Sequence, residues 1–321
     1  MEGFARPRIY ISKCITFEPV RYSGEMISSD FVSALRPHVD AITHCPEVEI
    51  GLGIPRKTLR IVADDREMKK LRLIQPDTGL DFTEKMKAWT QKTLDSLPEL
   101  DGFILKGKSP SSGAYDVKIY PAKGEKPSAI TGKASGFFGG AVLERFPEYP
   151  VEDEGRLTDE KLADSFLKRI FALAGFRTAR DTGKISALMD FHASNKLLFM
   201  SYNQKYMREM GRILAASGVS FADKARAYLS AMRLCMAKTY KTSNVINVFE
   251  HALGYFSEKL SSAEKKYFIN AMNKYRQGKA HISVPLALMK SYIVRFKEPY
   301  LEKQSFFLPY PEDIMERAFR D

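Results

Sequence analysis

Arg8-Ile9-Tyr10-Ile11-Ser12 runs directly into Lys13-Cys14. The run is short, apolar and rich in β-branched residues, which reads as a strand with a cysteine just past its end. Leu59 to Ala63, Gly102 to Lys106 and Val117 to Tyr120 read as further strands, and Thr83 to Ser96 as a helix with Met86, Trp89, Leu94 and Leu97 near one face. Strands interleaved with amphipathic stretches predict a small α/β sheet covered by helices. Lys108-Ser109-Pro110-Ser111-Ser112-Gly113 follows the strand ending near Lys106. Ligands collect in the loops beyond strand ends in such sheets, so this loop and Cys14 are expected to converge although they are far apart in sequence.

At 321 residues the chain exceeds the usual size of one domain, and two are expected. Hydrophobic residues make up 44% of it, which argues against long disordered stretches. Three cysteines are too few for a disulfide framework, the N-terminus lacks a secretory pattern, and no apolar run approaches a bilayer span. These features predict a cytoplasmic protein in a reducing compartment, without a membrane partner. The charge is uneven: residues 1–156 carry 23 Lys and Arg against 23 Asp and Glu, whereas residues 157–321 carry 27 against 16. A neutral half joined to a basic half points to a polyanion bound by the second; the plainer alternative is a solvated, Lys-rich helical surface.

Tyr149 to Arg156 is acidic and turn-rich, and predicts a boundary between one domain over residues 1–150 and another over 157–321. Gly132 to Gly140 lacks the spacing of a dinucleotide fingerprint or a P-loop, and reads as a tight turn before a short helix, Ala141 to Arg145. Past the boundary, Asp159 to Ala174, Ile185 to Tyr202, Gln204 to Ser217, Phe221 to Ala237, Ser243 to Leu260, Ser261 to Arg276 and Pro285 to Phe296 carry apolar residues at helical spacing. Thr158 and Ser261 mark two helix starts, the second with Glu264 in capping-box form. With no repeat of fixed period, a compact all-α domain is expected.

Cys14 stands in Ser12-Lys13-Cys14, Cys45 stands in His44-Cys45-Pro46-Glu47-Val48, and Ser112 occupies the place in Lys108 to Gly113 where a third cysteine is expected. Together with V-R-Y-x-G (Val20 to Gly24) and C-P-E-V-x-x-G-L-G-x-P-R (Cys45 to Arg56), these motifs resemble the thiouracil desulfurases, iron-sulfur enzymes that replace the sulfur of a thiolated pyrimidine with oxygen. The resemblance covers roughly the first half and implies a small Rossmann-like sheet with helices. It implies a 4Fe-4S cluster held by Cys14, Cys45 and the residue at position 112, with one iron left open for the departing sulfur. It further implies that Glu47 and Ser109 are catalytic. The residue chemistry is compatible, since thiolates are soft ligands suited to cluster iron and a nearby carboxylate can serve as general acid or base. Plainer readings are a salt bridge from Glu47 to Arg21 or Arg56, and a turn role for Ser109 before Pro110. Glu49 is the second candidate carboxylate, and Cys235, between Leu234 and Met236, reads as core. A serine oxygen is harder and ionises less readily than a thiol. Position 112 is therefore open to three explanations: an engineered replacement, a natural oxygen ligand, or a lost cluster.

Asp190 to Met200, Tyr202-Asn203, Arg208 to Arg212, Asn247 to Phe256 and Tyr310 to Asp313 resemble the YbgA-like helical domain found fused to desulfurase domains. Such fusions are similar to desulfidases of 4-thiouridine in transfer RNA, with the helical domain holding the RNA. On a helix His192 and Lys196 share a face, as do Arg208 and Arg212. Lys196, Arg208 and Arg212 are the expected phosphate contacts, Tyr202 or Tyr255 the stacking partners, and His192 and His251 further RNA contacts, with core packing as the alternative for the histidines. The expected activity is release of sulfide from a thiolated uridine in transfer RNA, with no stable protein partner. The rivals are a desulfurase of free thiouracil and an RNA-binding protein with a degenerate, noncatalytic cluster site.

Overall fold

The protein, a computed structural model, is described over residues 3–65, 67–122 and 128–319. Its first part forms β1 (Arg8–Ser12), α1 (Asp30–Leu35), β2 (Asp40–His44), α2 (Pro46–Glu49), β3 (Arg60–Ala63), β4 (Leu71–Gln75), β5 (Leu80–Asp81), α3 (Thr83–Ser96), β6 (Gly102–Leu105), β7 (Val117–Pro121), β8 (Thr131–Ala134), α4 (Phe137–Arg145) and β9 (Val151–Asp153). Ile9, Tyr10 and Ile11 on β1 and Phe103, Ile104 and Leu105 on β6 are fully buried, as strands covered on both faces require. They form the centre of a four-stranded parallel sheet of order β2-β1-β6-β9, with Ser12 opposite His44 and Ile11 opposite Ile104. Because every pairing is parallel, the segments after Ser12, His44, Leu105 and Asp153 all emerge at one edge.

A second, mixed sheet has the order β5-β4-β3-β7-β8. Helix α3 links the two cores: Met86 packs with Ile61, Leu73 and Ile119, Leu94 packs with Tyr10 and Phe103, and Trp89 touches both groups. The expected strands and the bounds of α3 are present, but β2, β4, β5, β8 and β9 were not legible. The Gly-rich turn is also corrected. Gly132 lies in β8, and the helix already begins at Phe137, so Gly139 and Gly140 are inside it.

The early start of α4 holds the loop carrying Ser109 to Gly113. The first amides of a helix have no intrahelical acceptor. Here Gly136 donates to the Gly113 carbonyl (2.7 Å), Phe137 to Pro110 (3.1 Å) and Phe138 to Ser111 (2.8 Å). This approach needs glycine, because a Cβ on Gly139 would stand 2.2 Å from the Gly113 carbonyl oxygen.

The chain divides into two compact units, one of Arg6–Phe166 with the C-terminal segment, the other centred on Leu167–Pro311. The division falls within α5 (Glu160–Asp181), after the expected boundary at Tyr149 to Arg156. The physical reason is that the acidic, turn-rich stretch contains β9, whose pairing with β6 makes it part of the sheet. At the start of α5 the Asp159 carboxylate, and not Thr158, accepts the Leu162 amide at 2.9 Å.

The helical unit contains α6 (Ile185–Tyr202), α7 (Gln204–Ala215), α8 (Phe221–Cys235), α9 (Thr242–Gly254), α10 (Ser262–Arg276), α11 (Ser283–Phe296) and α12 (Pro299–Glu302). The Ser261–Glu264 capping box is formed. Phe176, Phe199, Tyr228, Phe249, Phe256 and Phe268 fill its interior. α13 (Asp313–Ala318) returns to the first unit, where Ile314 is buried and Asp313 accepts from His38 at 3.1 Å. The protein is thus an α/β region followed by a helical region, and no helix among the described residues is long and apolar enough to cross a membrane.

Gly139→Ala is expected to lower stability by about 1–3 kcal/mol through overpacking against the Ser109 to Gly113 loop. The midpoint of urea unfolding measures this; an unchanged midpoint would show that the close approach is dispensable.

Candidate active site

The parallel edge opens on a cleft of about 260 Å³ lined by Cys14, Cys45, Glu47, Ser109 and Ser112 among others. Cys14 follows β1 directly. Cys45 follows β2 and sits at the N-cap of α2, where Pro46 occupies the first turn and brings Glu47 back toward the cysteine's side of the cleft. Ser109 and Ser112 follow β6 on the loop pinned by α4. Thus the five residues expected from sequence to hold or serve a cofactor line one cavity, although 98 positions separate Cys14 from Ser112 in the chain.

Both thiols are buried. Burial pushes the Cys14 thiol up to about 12, with Cys45 adding to the effect and Lys106 opposing it. Cys45 is also raised, chiefly by burial, while the Val48 amide and the Arg56 guanidinium oppose this. Each thiol therefore has a cation in its field. Arg56 Nη2 lies 3.8 Å from Cys45 Sγ, and Lys106 is held by a close ion pair with Glu154 and by the Gly107 carbonyl at 2.7 Å. Glu154 also accepts the Gly107 amide at 2.8 Å, so the end of β9 braces the end of β6.

Glu47 occupies the centre of a hydrogen-bonded chain. Its Oε2 accepts from Arg56 Nε at 2.8 Å, both side chains being nearly buried, and its Oε1 accepts from Ser111 Oγ at 2.8 Å. Ser111 Oγ lies 2.9 Å from Ser109 Oγ, which accepts the Ser112 amide at 3.2 Å. The plain expectation of an Arg56 salt bridge is met, together with the functional expectation that Glu47 faces the cleft. Glu49, the alternative carboxylate, is committed elsewhere: it accepts from Trp89 Nε1 at 2.9 Å and pairs with His44 at 2.7 Å. Ser111, Arg56 and Lys106 were not assigned functional roles from the sequence. The first two stand inside the motifs quoted above, whereas nothing local marked Lys106.

The donor set suits a cluster at two positions, because two soft sulfurs meet in one cavity with cations able to stabilise their ionised forms. Position 112 offers an oxygen, a harder third donor. Among the described residues no group of three or more His, Cys, Asp and Glu side chains is placed to hold a metal ion.

In the helical unit the expected RNA contacts separate into two groups. Lys196, Arg208, Arg212 and His251 are exposed. Tyr202 is not a stacking platform: its ring is buried at the end of α6 and packs edge-on against Tyr240. His192 is half-buried, with Nδ1 3.0 Å from the Tyr228 hydroxyl and its ring stacked on Phe199. Burial and the Lys196 charge lower its pKa. Helical spacing could not distinguish these positions, because aromatic rings on such a surface serve packing and binding equally well. Tyr255 remains exposed and stacks on Tyr300 with ring centres 5.2 Å apart. Cys235 is core, as expected, with Sγ against the Phe199 and Asn203 carbonyls.

Comparison with known proteins finds matches over both parts of the chain. The 2-thiouracil desulfurase family model matches residues 9–154, and a family of unknown function, DUF1722, matches residues 196–311. Uncharacterized protein YbbK of Bacillus subtilis (strain 168) is 30% identical over 155 residues, covering 47% of this chain and 98% of its own. Uncharacterized protein YbgA of Escherichia coli (strain K12) is 27% identical over 158 residues, covering 48% of this chain and 94% of its own. A solved [4Fe-4S]-dependent thiouracil desulfidase, TudS, has 28% identity and a TM-score of 0.38, covering 50% of this chain and 99% of its own. With its cysteines and acid–hydroxyl chain lining one cleft inside the matched segment, the chain belongs to the 2-thiouracil desulfurase family over residues 9–154 and carries a DUF1722 domain over residues 196–311.

Proposed function

We propose that the protein is a cytoplasmic iron-sulfur desulfidase that converts a thiolated uridine of transfer RNA, 4-thiouridine in the first instance, into uridine and sulfide. The observation that carries the reading is the single cleft shared by Cys14, Cys45, Ser112, Glu47 and Ser109. Cys14, Cys45 and Ser112 would hold a 4Fe-4S cluster. When bound, the cluster supplies an iron that takes up the departing sulfur. The chain's own residues do the rest. Glu47, fixed by Arg56, is the acid–base group for the water that replaces sulfur on the ring carbon, and Ser109 holds a hydrogen-bonding group of the substrate or the water. The overall exchange is thiocarbonyl plus water to carbonyl plus hydrogen sulfide, so no external oxidant or reductant is required by its atom balance.

The RNA part of the reading is supported by the basic excess after residue 156 and by the exposure of Lys196, Arg208 and Arg212. A substrate base must leave its stack to enter the cleft, unless it is already exposed. An RNA-binding protein without turnover is the second reading, favoured by the oxygen donor at Ser112.

Glu47→Gln should retain iron while lowering sulfide release from thiolated transfer RNA on the order of 100-fold, the usual cost of removing a positioned acid–base group. Near-normal release would assign that role elsewhere. Ser112→Cys should increase iron per chain after anaerobic reconstitution, because sulfur is the softer and more readily ionised donor in nearly the same volume; equal iron in the two proteins would identify serine as the proper ligand. In the full-length protein, Arg208→Gln should weaken transfer RNA binding and reduce the slope of log affinity against log salt by roughly 0.7 to 0.9, one phosphate's share. A slope that does not change would remove Arg208 from the RNA surface.

A further inference from the structure

The hydrogen-bond chain from Glu47 to Ser109 has a direction, and that direction determines what the cleft can recognise. Glu47 accepts at both oxygens, from Arg56 Nε at Oε2 and from Ser111 Oγ at Oε1, each at 2.8 Å. Ser111 must therefore spend its one hydroxyl hydrogen on Glu47 Oε1, 2.8 Å away. The contact of 2.9 Å between Ser111 Oγ and Ser109 Oγ then has a single polarity: Ser109 donates and Ser111 accepts. Ser109 Oγ also accepts the Ser112 amide at 3.2 Å. Its hydrogen is committed and one of its two lone pairs is occupied, leaving one lone pair as its remaining hydrogen-bonding capacity.

Ser111 is fully buried, and its backbone carbonyl accepts the α4 amide of Phe138 at 2.8 Å, which anchors the loop that carries the hydroxyl. We propose that Ser111 is a positioning residue that makes Ser109 a hydrogen-bond acceptor toward the cleft, and that this subsite takes an N–H or O–H donor and does not donate to the thiocarbonyl. The donor is either the ring N–H beside the thiocarbonyl or the O–H of the attacking water. This rests on the desulfidase reading and deepens it: it says which substrate atoms Ser109 faces. Arg56 supports the chain from its far end, where its Nε donates to Glu47 Oε2.

The test uses the full-length, cluster-reconstituted protein and its Ser111→Ala and Ser111→Thr variants, with 4-thiouridine and its N3-methyl derivative as probes. Ser111→Ala frees the Ser109 hydrogen, so sulfide release is expected to fall at least about tenfold with iron content unchanged, and Ser111→Thr, which keeps the hydroxyl, restores it. If the ring N–H is the donor, the wild type binds the N3-methyl probe at least tenfold more weakly than 4-thiouridine and Ser111→Ala narrows that gap. If water is the donor, both probes bind alike and the loss appears in kcat alone. Unchanged release in Ser111→Ala, or equal losses in the alanine and threonine variants, would overturn the proposal while Glu47→Gln still reports on the desulfidase reading. A separate infrared comparison reads the hydrogen bond without turnover: the carboxylate stretch assigned by Glu47→Gln should shift in Ser111→Ala. An unshifted band would overturn the proposal even if the protein released no sulfide, an outcome that would defeat the desulfidase reading instead.

Discussion

Everything at the candidate site depends on the parallel pairing of β1 with β2 and β6. Antiparallel neighbours would send alternate strand ends to opposite edges and place Cys14 and Cys45 on different sides of the sheet. Parallel pairing needs crossover connections, here supplied partly by α1 and by the long excursion through the second sheet and α3. Those connections also bury both sheet faces, which is why Ile9, Tyr10 and Ile11 have no solvent-facing side. The cleft is thus a product of topology before it is a product of any one residue.

Within the cleft, charge is arranged against the cost of burial. Two thiols that burial keeps protonated each stand in the field of a cation, Lys106 for Cys14 and Arg56 for Cys45, and each cation is itself paired with a carboxylate. Positive charge brought by a metal centre would favour the thiolate forms further, and binding of such a centre would then release protons. Arg56 serves four partners at once, binding Glu47, the Val20 and Gly53 carbonyls and the Cys45 sulfur. Its loss would remove the partner of Glu47 and the cation beside Cys45 together.

Much of this was legible where local pattern and tertiary role coincide. The buried run Arg8–Ser12, the amphipathic helix Thr83–Ser96 and the helix Ile185–Tyr202 have the same bounds in sequence and structure. The cysteines and Glu47 were found through motif spacing. What escaped was anything defined by a partner far along the chain. β9 is three residues long and becomes a strand only against β6; Ser111 gains its meaning from Glu47, 64 positions away; Tyr202 is disqualified by Tyr240. The helix α4 begins earlier than its glycines suggested because its first amides find acceptors in another loop, which no local propensity records.

The return of α13 to α1 changes what kind of two-unit protein this is. Because Asp313–Ala318 belongs with Arg6–Phe166, the helical segment Leu167–Pro311 is inserted into the first unit and is not appended after it. With the residues up to Ala5 also assigned to the helical unit, the chain passes between the units three times, at Ala5/Arg6, Phe166/Leu167 and Pro311/Glu312. Removing the helical segment as a simple C-terminal truncation would also take α13 away from α1, exposing the surface that Ile314 covers. The excision that respects this architecture joins the chain across the insertion and keeps its last helix.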